Sequence, residues 1–174
     1  MANASETSPS ARRNRLVREP CADPSSELPR AGGHYMVMSY LEVGRCIRVG
    51  TLGEMNFLAG YYAYAGSALG SLEGRLRRHL GPPASRPRWH IDRLLQHASP
   101  LGAVWGVAQE GRECPLAEVL ALRFLRIPRF GSTDCRCPGH LFYSHGLEDL
   151  LEGALEAFRT IGRIPQNNVK SCPG

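Results

Sequence analysis

Leucines at 72, 76 and 80 recur every four residues and fix a single buried stripe along a helix. On that wheel Arg77 and Arg78 turn away from the stripe. Arg75 and His79, themselves four apart, share its edge, where a helix meets the rim of whatever it packs on. Ser71 is placed to cap the first turn, and Glu73 suits the positive end of the helix dipole. A second stripe of Leu147, Leu150, Leu151, Ala154, Leu155 and Phe158 predicts a structural helix after Gly146. Between them, residues 89–97 have helical character after the break at Gly81-Pro82-Pro83. Residues 115–124 predict a helix with proline in its first turn, apolar at nearly every position except Glu118.

The strand signals lie mostly upstream. Residues 34–42 are largely apolar or aromatic, Val43-Gly44 marks a turn, and residues 45–49 alternate polar with apolar, which predicts a hairpin. A glycine-bearing loop over 51–60 leads to a third strand at 61–65, and residues 101–108 predict a further short strand interrupted by Gly102 and Gly106. The expected fold is therefore α/β of the α+β type. A small three-stranded antiparallel sheet is flanked by helices, with an extra strand and a C-terminal helix. It occupies residues 32–163 as one domain, because 174 residues are too few for two ordinary ones. Residues 1–31, rich in Ser, Pro, Ala and Arg, predict a disordered tail, and residues 164–174 a frayed end.

Charge and cysteine usage narrow the chemistry. The net charge of +5 is carried almost wholly by arginine, Lys170 being the only lysine. Arginine grips phosphate in a forked geometry, which fits a polyanionic partner, although a genome favouring arginine codons would give the same count. No apolar run approaches the length of a bilayer span, and the N-terminus lacks the apolar segment of a secretory signal. A cytoplasmic setting is expected, in which the six cysteines are thiols or metal ligands. Cys114, Cys135, Cys137 and His140 together offer three sulfurs and an imidazole, a set that tetrahedral Zn2+ accepts. The irregular Cys-x-Cys spacing leaves simple packing of buried thiols as the other reading.

Several short motifs then fall in order. Gly33-His34-Tyr35, Tyr64-Ala65-Gly66, Arg75 with His79, and Glu118 on a later helix resemble the GIY-YIG nuclease superfamily. The stretches Tyr62 to Ala68, Arg78 to Leu80, Trp89 to Asp92, Phe130 to Cys137 and His140 to Phe142 resemble its Uri-type endonuclease branch. The resemblance covers residues 33–144 and implies a metal-dependent DNA endonuclease. It implies Tyr35 and Tyr64 at the attacking water, with either as the base and the other tyrosine and His79 orienting the water or relaying the proton, Arg75 clamping the scissile phosphate, and Glu118 holding Mg2+ or Mn2+. For Glu118 the residues alone leave a salt bridge to an arginine open. Arg77, Arg78, His90 and Asp92 are candidate substrate contacts, with helix capping or an arginine pair as the alternative for Asp92.

Two features depart from the superfamily pattern: His34 stands where an apolar residue is usual, and the connection between Tyr35 and Tyr64 is long. The superfamily's late asparagine has no clear match, Asp92 and Asp134 being the candidates to replace it. The other function classes are a non-catalytic nucleic-acid-binding or adaptor module, and a zinc-stabilised binding module that binds zinc stoichiometrically and cleaves nothing.

Overall fold

The structure, a computed structural model, describes residues 28–109, 111 and 113–170. The tail expected over 1–31 therefore lies outside the described residues up to position 27. Residues 28–31 belong to the fold: Leu28 is buried, and the carbonyls of Pro29 and Ala31 accept from the backbone of Glu73 and Leu72.

Strand β1 (Gly33–Leu41) is the centre of the molecule, buried at every position but one. A strand covered on both faces reads as a continuous apolar run and needs a partner on each edge. Those partners are β4 (Gly60–Ala68) and β5 (Ser99–Val107), both antiparallel to it. The strand expected at 45–49 does form, as β2 (Arg45–Arg48), but the hairpin with β1 does not. Its partner is β3 (Glu54–Phe57), within the stretch expected to be a loop, and the two make a separate antiparallel ribbon between β1 and β4.

Three further strands complete a six-stranded sheet in the order β6-β7-β4-β1-β5-β8, antiparallel throughout: β6 (Leu125–Ile127), β7 (Leu141–Ser144) and β8 (Gln166–Asn167). The C-terminal stretch expected to fray is held through position 170. Gln166 Oε1 accepts from Trp105 Nε1 at 2.9 Å, Asn168 Oδ1 from Ala103 N at 2.9 Å, and the Lys170 amide donates to Leu101 O at 3.0 Å.

Helices cover both faces. One carries α1 (Leu72–Leu80) and α2 (His90–Leu95); the other carries α3 (Cys114–Leu120) and α4 (Leu147–Thr160). Leu72 and Leu76 of α1 are fully buried against Tyr35, Val37 and Trp105, each burial worth about 2 kcal/mol. Ser71 caps α1 as expected, its Oγ accepting from Gly74 N at 3.1 Å, a bond worth about 1 kcal/mol. On the far face Leu150, Ala154 and Phe158 of α4 and Leu116, Ala117 and Leu120 of α3 pack on Met36, Met38, Ala63 and Ala65. The fold is thus the expected antiparallel sheet flanked by helices, with extra strands at both edges. No helix among the described residues is long and apolar enough to cross a membrane.

Candidate active site

Register brings the two tyrosines together. Val37 faces Tyr64 and Tyr35 faces Gly66 across β1 and β4, so both phenols stand on the α1 face of the sheet, one diagonal step apart. Glycine at position 66 lets the Tyr35 ring lie against the strand: a Cβ there would lie 2.5 Å from Cζ and the hydroxyl of Tyr35, so any side chain must displace that ring. From α1, the edge of the leucine stripe delivers Arg75 and His79 to the same place. Tyr35, Tyr64, Arg75, His79, His90 and Glu113 all line one cleft of about 590 Å3.

Within it the Tyr35 hydroxyl lies 3.1 Å from His79 Nε2. On the other side of the ring, His79 Nδ1 faces Asp92 Oδ1 at 4.0 Å, beyond hydrogen-bond reach. Burial holds the His79 pKa down at about 4, Asp92 opposing the shift while Arg75 and Arg78 add to it. A neutral imidazole with Nε2 as acceptor is thereby available to the Tyr35 proton. Both phenols are pushed well above the ordinary value of 10, chiefly by burial. For Tyr35 the neighbouring Tyr64 adds to the effect; for Tyr64 the Glu113 carboxylate does, and Arg75 works against the rise in both.

Asp92 anchors the wall behind His79. Its Oδ2 accepts from Arg78 Nη2 at 2.6 Å, Arg88 N at 2.8 Å and Trp89 N at 3.1 Å, so it caps α2 and pairs with an arginine at once. Burial alone would raise its pKa; those three donors outweigh burial and lower it. Trp89 is the platform for the basic groups, with the guanidinium carbons of Arg75 and Arg78 lying 4.3 and 4.6 Å from its ring centre. Arg75 makes no ion pair among the described residues, so its charge faces the cleft.

Residues 34–163 match the family described as domain of unknown function DUF123. The chain belongs to that family. No curated protein and no solved structure matches it.

Not every candidate residue reaches the cleft of this DUF123 domain. Glu118 lies outside it, exposed on α3 and paired with Arg126 at 3.1 Å, the salt bridge that its sequence context left open. The carboxylates that line the cleft are Glu113, at the N-cap of the same helix, and Asp134. Pro115 at the start of α3 marked that end of the helix in the sequence, but nothing there favoured Glu113 over other acids. Arg77 is also outside, exposed and bonded to Glu73 at 3.1 Å. Arg78 and Asp92 support the wall and are not among the residues lining the cleft, whereas His90 is; its Nδ1 accepts from Gly131 N at 3.0 Å. Trp89, which entered the sequence reading only within a motif, organises the arginines.

Next to the cleft, the four cluster residues do converge. One ligand atom from each of Cys114, Cys135, Cys137 and His140 lies within 4.8 Å of all the others, a Cys3His set that could hold a metal such as zinc. All three thiols are free. Burial and the adjacent thiols push Cys114 up to about 12, and burial raises Cys137 as well. A bound cation reverses that tendency by stabilising thiolates, which is the electrostatic reason for crowding sulfurs in one place.

Proposed function

We propose that this chain is a metal-dependent endonuclease of the GIY-YIG type that hydrolyses phosphodiester bonds in DNA. The observation that carries the reading is the Tyr35–His79 hydrogen bond, made in the same cleft as Arg75, which has no ion pair among the described residues, and the carboxylate of Glu113. Hydrolysis requires a base for the attacking water and charge stabilisation on the phosphoryl oxygens.

Tyr35 is the base in this scheme, because it is the phenol hydrogen-bonded to His79. It takes a proton from water as its own passes to His79 Nε2, and the imidazolium that forms faces Asp92. The water oxygen bonds to phosphorus while the ester oxygen on the opposite side leaves. Tyr64, whose ring packs edge-on against His79, orients the water. Arg75, held on Trp89, donates to two phosphoryl oxygens. Glu113 and Asp134, which both line the cleft, would provide oxygen donors for Mg2+ or Mn2+. When bound, such a cation supplies Lewis-acid stabilisation of the phosphate charge. Arginine-borne phosphate contacts imply binding that weakens steeply with salt.

The test is cleavage of labelled single-stranded, duplex and branched DNA with Mg2+ or Mn2+, comparing wild type with Tyr35→Phe. Cutting by wild type that the variant loses while still binding DNA supports the reading. Binding without cutting by wild type, with either metal, makes the chain a non-catalytic nucleic-acid adaptor.

A further inference from the structure

Glu113 belongs to two sites. Its carboxylate lines the cleft, its electrostatic effect reaches both Tyr35 and Tyr64, and it is the residue immediately before the cluster ligand Cys114. Its Oε1 also lies 3.3 Å from His140 Nδ1. His140 is fully buried, and that ring nitrogen has no well-formed hydrogen bond. The other ring nitrogen, Nε2, points into the cluster, 3.6 Å from Cys135 Sγ.

A histidine bound to a metal through one nitrogen carries a proton on the other. It usually donates that proton to a carboxylate or carbonyl, which fixes the ring and makes it a better ligand. We propose that Glu113 is the outer-sphere partner of a metal held by Cys114, Cys135, Cys137 and His140, so that the metal cluster and the cleft share one carboxylate. Metal at Nε2 places the proton on Nδ1, directed at Glu113, and holds that carboxylate at the cleft wall. The His140 backbone ties the cluster to the tyrosines as well, its carbonyl accepting from Ala65 N at 2.9 Å, next to Tyr64. Coupling of this kind is reciprocal: whatever occupies Glu113 from the cleft side changes metal affinity, and metal loading changes what Glu113 can bind.

The proposal takes the use of the cleft from the nuclease reading, but its test needs no nucleic acid. Zinc affinity is measured by competition with a chelator for wild type, Glu113→Gln and, as a control on the same helix, Glu118→Gln. The expected result is one zinc per wild-type chain, affinity about 10–100-fold weaker for Glu113→Gln, and Glu118→Gln within twofold of wild type. With Co2+ in place of zinc, the visible bands of the thiolate complex shift for Glu113→Gln and stay put for Glu118→Gln. Should Glu113→Gln fail to fold, the 15N spectrum of the zinc-loaded wild type decides, through a strongly downfield Nδ1 proton on His140. Wild-type zinc affinity in Glu113→Gln, no zinc uptake by wild type, or an Nδ1 proton at an ordinary shift each overturns the proposal. Zinc coupling in a protein that cuts no DNA leaves the proposal standing and removes the nuclease reading alone.

Discussion

Helices α1 and α3 both carry charged residues singled out in the sequence, and the fold treats them oppositely. In α1 the leucines at 72, 76 and 80 form a narrow stripe among charged neighbours, so rotation about the helix axis was determined before any tertiary contact was known. Arg75 and His79 duly arrive at the cleft. In α3 nearly every position is apolar, and such a helix has no rotational phase legible from its pattern. The fold turns Leu116, Ala117 and Leu120 inward and Glu118 out to Arg126. It also ends the helix at Leu120, leaving Leu122 85% exposed. The acid that α3 gives to the cleft, Glu113, comes from the helix end, where the chain path and not the wheel decides. A lone acid in an apolar helix is therefore a weaker pointer to a site than an arginine on the rim of a defined stripe.

The largest effect expected from this contrast is on α1. Arg75→Ala is predicted to lower DNA cleavage by about 10²–10³-fold, while Arg77→Ala, two residues along but exposed, changes it by only a few-fold; initial rates on one substrate at fixed salt compare them. His79 gives the next effect, read as stability. Its pKa is near 6.5 unfolded and about 4 folded, so between those values the unfolded chain binds the extra proton. Its contribution is present in full above pH 6.5 and is lost as pH falls through about 4, a loss of about 3 kcal/mol for a fully buried ring. Urea unfolding at pH 7 and pH 4 should show a smaller acid loss for His79→Gln than for wild type. An equal loss in both would mean that the ring is not held neutral.

Gly66→Ala probes the register that pairs the tyrosines. The added methyl must displace a buried Tyr35 ring, and a shift of the base by a fraction of an ångström is expected to lower cleavage about tenfold. DNA affinity should hardly move. The smallest effect belongs to Glu118→Gln: the lost pair with Arg126 is solvent-exposed on the glutamate side and worth at most about 1 kcal/mol. Thermal unfolding should shift by no more than a few degrees, with cleavage unchanged.

What was legible followed from periodicity and order. The helices, the central strands and the placing of Arg75 with His79 on one helix edge come from local patterns whose faces were determined, whereas the meeting of Tyr35 with Tyr64 was implied only by the superfamily resemblance and needs the β1–β4 register to be seen. Ser71 as a cap and the Cys3His set were legible for the same reason, since each depends on residue chemistry more than on a distant partner. Strand partnership was not, because alternation at 45–48 reveals a wet face and says nothing about which edge it meets. The two- and three-residue strands β8 and β6 carry too little pattern to be seen. Trp89 and Asp92 gave an ambiguous signal, since a tryptophan and an N3 aspartate suit a core and a cap equally well. Only contact between α1 and α2 shows that they hold the arginines and back His79.

The central claim is that a Tyr35–His79–Arg75 cleft closed by Glu113 hydrolyses phosphodiesters. It is tested most directly by single-turnover cleavage with Mn2+ for Glu113→Gln and Glu118→Gln, each checked for wild-type circular dichroism. The account predicts that Glu113→Gln loses at least about 10²-fold and that Glu118→Gln cuts like wild type. Loss of cutting in Glu118→Gln with normal cutting in Glu113→Gln would contradict it, and would return the catalytic acid to the outer face of α3.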